Sequence, residues 1–342
     1  CCRQVPMNYL IHAPAWVGDA VMAHSLLQLL KAEQPDARIS VLAAKSVAPV
    51  VARMAEVDEL ITLDFPRVGL QRLQRRALAA ELKSRRFDKA LILPRTFKTA
   101  LIPWFAAIPE RVGFAGELRS WLLTDARQRL PRLVDGRVAD QTVRRYLSLG
   151  VSGERAAAGD FAVLPPRLQI DDDNRFALLD QLGLSTATPI IALAPGAEFG
   201  PAKQWPVSHY GELAASLLQR GYQVWVLGSP KDKATGDAIA ERAPGLVNLC
   251  GRTRLQDAVD LLSLADALVA NDSGLMHVGA AVGIHVVALF GSTSPEFTPP
   301  LTENATILRT GISCSPCFKR TCPYGHTRCL TELAASRVLT AV

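Results

Sequence analysis

Near residue 189 the sequence begins again in the pattern with which it opens. The apolar run Tyr9–Ile11 leads into a Pro/Gly loop and then a helical stretch from about Asp19 to Glu33. In the second half Pro189–Ala194 leads into the loop Pro195–Pro201, and a helical stretch follows from about Val207 to Arg220. Between these openings, Ile39–Ala43, Leu60–Leu63 and Ala90–Leu93 read as further strands, with the basic helix Gly69–Arg86 before the last. After the second opening come Gln223–Leu227, Val247–Leu249, Ala267–Val269 and Val286–Phe290, separated by helical stretches. Alternation of this kind predicts an α/β chain with two parallel sheets, each carrying helices on both faces. Tandem proline in Val163–Pro166, followed by Asp171–Asp173, marks the linker, because proline stiffens the chain and stops a helix. The expected domains are 7–168 and 169–342, with the C-terminal helix free to pack back on the first. Two such domains create a cleft, and ligands in open α/β sheets bind beyond the carboxyl ends of the strands.

Composition removes several classes. Of 342 residues, 49% are hydrophobic and 20% charged, which excludes a mainly disordered chain. No apolar run reaches the roughly 18 residues of a membrane span. The start, Cys1–Pro6, lacks the apolar stretch of a signal peptide, and Met7 reads as the natural first residue. Seven cysteines without an export signal point to a reducing cytoplasm. The net charge of +6 suits an acidic partner without identifying one.

Four loops follow strands and carry reactive side chains. In Ala13–Ala20, Asp19 reads either as a helix-capping carboxylate or as a general base facing the cleft. Neither G-x-G-x-x-G nor G-x-x-x-x-G-K-[ST] occurs there, so a dehydrogenase or P-loop enzyme loses support. In Lys203-Gln204-Trp205-Pro206 the lysine reads as a diphosphate contact or as a solvated cation. In Ala270–His277, Ser273 and Gly274 open a helix whose free N–H groups can take phosphate oxygens, with Asp272 and His277 alongside. Ser292 and Thr293 in the loop after Val286–Phe290 can add hydroxyl contacts or form an ordinary turn. Arg67, Arg72, Arg75, Arg76, Lys83, Arg85, Arg86, Lys89, Arg95 and Lys98 are opposed only by Glu81 and Asp88. They read as a solvated basic face or as a patch for an anionic acceptor and membrane surface. Cys314, Cys317, Cys322 and Cys329 fall within 16 residues of a Pro/Gly-rich segment, and four thiolates so close can form a structural zinc site.

The succession W-V-G-D, K-x-W-P, L-G-S-P, L-C-G-R-T and N-D-S-G-L-M-H resembles glycosyltransferase family 9 over about Met7 to Leu333. The resemblance implies a GT-B fold with an acceptor-binding first domain and an ADP-sugar-binding second domain. It implies transfer of L-glycero-D-manno-heptose from ADP-heptose to the first heptose of the lipopolysaccharide inner core, with inversion, without a required cofactor, in the cytoplasm or on the inner-membrane surface. On this resemblance Asp19 is the base and Lys203 contacts the diphosphate. The resemblance also implies that Asp272, Ser273, Gly274 and His277 hold the donor nucleotide; Gly228 of L-G-S-P, Ser292 and Thr293 are further donor-binding candidates, and Arg95 and Lys98 of the basic stretch are acceptor-binding candidates. Type I relatives often carry two threonines where this chain has Glu198 and Phe199, so no hydroxyl contact is expected there. The alternatives are a GT-B transferase using another nucleotide sugar and a metal-stapled nucleic-acid-binding protein; the leading reading expects no nucleic-acid partner.

Overall fold

The structure, a computed structural model, describes residues 6–65, 68–128 and 140–342 and the backbone of 133–134 and 137–138. Cys1, Cys2 and Arg67 lie outside the described residues. The chain divides into two compact units, one ending at Pro166 and the other beginning at Arg167. Among the described residues no helix is long and apolar enough to cross a membrane.

The first unit runs β1 (Asn8–His12), α1 (Val17–Glu33), β2 (Arg38–Ala44), α2 (Ala48–Val51), β3 (Glu59–Leu63), α3 (Arg72–Lys83), β4 (Lys89–Ile92), α4 (Phe97–Phe105), β5 (Glu110–Phe114), β6 (Asp125–Arg127), β7 (Leu133–Val134), β8 (Arg137–Val138), α5 (Thr142–Gly150) and α6 (Gly153–Ala158). Six strands form one parallel sheet in the order β3-β2-β1-β4-β5-β6. Both faces are covered, so β1 and β2 bury almost every residue and read as apolar runs rather than alternating ones. One core cluster joins Leu10, Leu42 and Ala90 of the sheet to Leu82 of α3 and Ile102 of α4.

Helix α4 contains Pro103, which removes the hydrogen bond to the carbonyl four residues back and ordinarily stops a helix. That carbonyl belongs to Thr99, and His12 Nδ1 lies 3.1 Å from it. The imidazole replaces the missing partner and ties α4 to the end of β1.

The second unit runs α7 (Asp172–Leu182), β9 (Ile190–Ala194), α8 (Val207–Gln219), β10 (Gln223–Val226), α9 (Lys233–Ala240), β11 (Val247–Asn248), α10 (Leu255–Leu262), β12 (Ala267–Asn271), α11 (Gly274–Val282), β13 (His285–Leu289), β14 (Ala305–Leu308), α12 (Arg328–Thr331) and α13 (Ala335–Leu339). Its sheet is again parallel, in the order β11-β10-β9-β12-β13-β14. Trp205 and Tyr210 stack edge to face, 4.7 Å apart, within its core. The final helix packs on α8 of its own unit, through Val338 in the same core.

Both sheets share one topology: the first strand lies centrally, two strands are added on one side, and then three on the other. The order reverses between β1 and β4, and again between β9 and β12. At such a switch point the loops leaving two adjacent strands diverge and open a crevice at their carboxyl ends.

Candidate active site

The first switch point opens into a cavity of about 390 Å³. The loop after β1 supplies Asp19, three residues into α1, where a carboxylate is favoured by the helix N-terminus. The loop after β4 supplies Arg95 and Lys98, and Arg75 of α3 and Arg145 of α5 complete the charged wall. Four cations therefore surround one carboxylate in the lining. Asp19 acts electrostatically on Tyr146: burial first, then the Asp19 charge, hold that phenol well above its ordinary range. The cavity brings Asp19, Arg95 and Lys98 together, as the sequence reading expects.

Arg75, His12, Arg145 and Tyr146 carry no motif, and sequence reasoning missed their place in this site. The basic run over 67–98 is not one continuous face. Helix α3 begins only at Arg72, and Arg75 is 4% exposed, so it turns into the cavity. Its Nε donates to the Leu70 carbonyl at 2.8 Å, its guanidinium lies over Phe65, and Nη1 is left without a partner among the described residues. Arg76 lies over the Phe105 ring, Arg85 pairs with Glu59, and Lys89 pairs with Glu110. Burial, reinforced by the Arg75 charge, lowers the His12 pKa to about 3, so the imidazole is neutral and Nδ1–H donates to Thr99. The β4 loop is held from below by Arg119, fully buried, which donates to Pro94 O at 2.7 Å, Thr96 O at 3.1 Å and Thr99 Oγ1 at 3.1 Å.

The second switch point is organised by Asn271 at the end of β12, wholly buried. Its Nδ2 donates to Pro195 O at 2.7 Å, and its Oδ1 accepts from Trp205 N–H at 3.1 Å. One amide thereby fixes the loop after β9 on both sides of Lys203. Lys203 Nζ lies 2.5 Å from Asp272 Oδ2, with both side chains largely buried. The same carboxylate accepts from Thr293 Oγ1 at 2.6 Å and, through Oδ1, from Thr298 Oγ1 at 3.5 Å. Phe199 lies 5.0 Å beneath the ammonium. Lys203, Asp272 and Thr293 thus converge as expected, but the lysine arrives already paired. The Asp272 carboxylate faces the Lys203 ammonium.

Ser273 stands at the N-cap of α11 in an extended conformation without capping the helix by its own side chain. His277, one turn in, is buried, and burial lowers its pKa to about 4, with Asp272 raising it and Lys203 lowering it further. Gly228 follows β10, where a Cβ would stand 2.8 Å from Asp232 Cβ and 2.9 Å from Cys250 Sγ. Its place reflects packing of that loop at least as directly as ligand contact. Ser292 Oγ is buried and unpartnered among the described residues. Glu198 pairs with Lys231 on the surface.

Cys314, Cys317, Cys322 and Cys329 line one small void of about 10 Å³. None forms a disulfide. Among the described residues no group of three or more His, Cys, Asp or Glu is already arranged to hold a metal ion.

Residues 75–328 match the family model for glycosyltransferase family 9 (heptosyltransferase). The chain is 41% identical to lipopolysaccharide heptosyltransferase 2 of Salmonella typhimurium, over 97% of both chains. It is likewise 41% identical to lipooligosaccharide heptosyltransferase 2 of Haemophilus influenzae, over 89% of this chain and 88% of that one. The solved structure of the Escherichia coli ADP-heptose lipopolysaccharide heptosyltransferase II superposes with a TM-score of 0.85, at 39% identity, covering 98% and 97% of the two chains.

Proposed function

The chain belongs to glycosyltransferase family 9, and from that premise we propose how its two switch-point sites divide the work of a heptosyl transfer. It is a lipopolysaccharide heptosyltransferase with the α/β architecture of the GT-B heptosyltransferases. In our reading the second unit, from Arg167 on, binds ADP-heptose, and the first, ending at Pro166, binds the inner-core acceptor whose terminal sugar is the first heptose.

Cleaving the anomeric bond leaves negative charge on departing ADP. The Lys203 ammonium, held by Asp272, and the free N–H groups at the start of α11 beside Ser273 and Gly274 would meet that charge. Because the ammonium is fixed before substrate arrives, little reorganisation is needed as the bond breaks. His277, neutral at physiological pH, supports this site as a hydrogen-bonding group and adds no charge. Thr293, which donates to the Asp272 carboxylate, and Ser292 beside it border the same region.

In the first unit Asp19 would take the proton of the attacking hydroxyl late, once bonding to the anomeric carbon has made it acidic. Attack from the face opposite ADP inverts that centre in one step. Arg75, Arg95, Lys98 and Arg145 would hold the acidic groups of the acceptor around the carboxylate. Charge neutralisation comes from this chain's own cations, so the reading assigns no divalent ion or other cofactor to the transfer.

The acceptor is a lipid, and the first unit carries a cluster suited to a membrane surface. Trp121 is 63% exposed and Trp104 38% exposed; the two rings meet edge to face at 5.5 Å. Exposed tryptophan is favoured at headgroup depth. Peripheral binding to the cytoplasmic face of the inner membrane through this cluster is part of the proposal.

The observation that carries the proposal is Asp19 at the β1 switch point inside a cation-walled cavity. Asp19→Asn should keep ADP affinity and lose at least about 10²-fold in turnover, the low end for a general base. Turnover close to that of the parent would reduce Asp19 to a helix-capping residue.

A further inference from the structure

We propose that Cys314, Cys317, Cys322 and Cys329 bind one divalent thiophilic metal ion, zinc by ligand chemistry, and that this ion staples residues 309–327 against the donor loops. The consequence for the donor loops rests on the reading of Lys203 and Thr293 above; the metal site itself does not.

Cys329 of α12 and Cys314, Cys317 and Cys322 of the preceding loop line a single void of about 10 Å³, roughly the room for one water or one bare ion. The turn Cys322-Pro323-Tyr324-Gly325-His326 winds around its own sulfur. Backbone N–H groups of Thr327, Tyr324, His326 and Gly325 are directed at Cys322 Sγ, the arrangement of a loop wound around a sulfur that will carry a metal. A metal ion at the centre of four cysteines displaces their protons and binds the resulting thiolates without leaving them to repel one another. Four sulfur donors select zinc or ferrous iron over magnesium or calcium. Since the four side chains surround the void without forming a finished ligand set, binding closes the segment onto the ion.

Residues between Cys314 and Cys322 touch the donor loops. Phe318 N–H donates to Ser292 O at 2.7 Å, and Ala202 N–H donates to Arg320 O at 3.1 Å. The Arg320 guanidinium shares the Phe199 ring with Lys203. At Gly200, with φ +153, a Cβ would lie 2.5 Å from Arg320 O, so the segment and the Lys203 turn approach backbone to backbone. Ser315 Oγ adds a bond to Gly291 O at 2.6 Å. Fixing the sulfurs fixes these contacts, and with them the positions of Lys203 and Thr293.

The test uses the full chain purified without chelator. Elemental analysis should find one equivalent of zinc; one equivalent of iron would uphold the tetrathiolate site and correct the ion. Cys317→Ser and Cys322→Ser should each lose the metal, melt at lower temperature and bind ADP several-fold more weakly, while Cys250→Ser, altered at a buried cysteine outside the cluster, keeps its metal. Should the serine variants not fold, cobalt added to metal-depleted parent protein should give the visible absorption of a tetrahedral thiolate complex. Metal-free protein with four freely titrating thiols and no cobalt spectrum would overturn the proposal. Metal binding without ADP binding would uphold the staple and sink the donor reading; ADP binding without metal would do the reverse.

Discussion

Replacing Lys203 by methionine separates the two jobs assigned to it. The side chain keeps its length and apolar stem but loses the ammonium that faces Asp272 at 2.5 Å. Removing one partner of a buried ion pair costs about 3–5 kcal/mol, because the other charge is left uncompensated. Asp272 still accepts from Thr293 and Thr298, so the low end, about 3 kcal/mol, applies. For a unit of this size that lowers Tm by about 6–12 °C. Loss of a charge-assisted contact to the diphosphate costs a further 1.5–3 kcal/mol, roughly 10- to 150-fold in Kd for ADP. Calorimetry with ADP and adenosine reads the second effect, and thermal melts read the first. Adding Asp272→Leu removes the orphaned carboxylate, so the double variant should recover much of the lost stability without recovering ADP affinity. Equal losses for ADP and adenosine, or recovery of ADP binding in the double variant, would refute the placement of the ammonium at the diphosphate.

Acid should weaken the second unit through His277. Its ordinary pKa of 6.5 falls to about 4 in the fold, so between those values the unfolded chain holds the extra proton and stability declines as pH drops. The loss on acidification approaches about 3 kcal/mol, and His277→Gln should flatten it in urea melts at pH 7 and pH 4.5; parallel pH dependence in both proteins would contradict the assignment. Trp104→Ser with Trp121→Ser should reduce sedimentation with anionic vesicles while leaving ADP affinity intact, and unchanged sedimentation would remove the aromatic cluster from the membrane reading.

The second half was the more legible because its central strands, Ile190–Ala194 and Ala267–Asn271, are wholly buried and mostly aliphatic; its edge strand Ala305–Leu308, only partly buried, escaped. Elements of the first half escaped for definite reasons. Helix α4 hides behind Pro103, tolerated only because His12 takes the carbonyl it frees. Strands β5 and β6 are short and partly polar, Glu110–Phe114 and Asp125–Arg127, and β6 lies at the sheet edge. The motif residues Asp19, Lys203 and Asp272 could be found because each follows a strand in a recognisable loop. Arg75 could not, because one arginine among ten basic residues does not announce which side of a helix it occupies. Nor does Asn271 announce its role: the clamp it forms joins Pro195 to Trp205 across 76 and 66 positions of sequence.

The central claim is that these two switch-point sites together transfer a heptose from an ADP donor to an inner-core acceptor. The direct measurement is product mass and anomeric configuration, alongside nucleotide release, from purified protein, ADP-heptose and a heptose-terminated core acceptor in buffer without added divalent ions. The account predicts one ADP released per heptose added, an inverted anomeric centre, and competition by ADP well ahead of UDP or GDP. No mass gain, retention of configuration, or equal competition by the three nucleotides would contradict it.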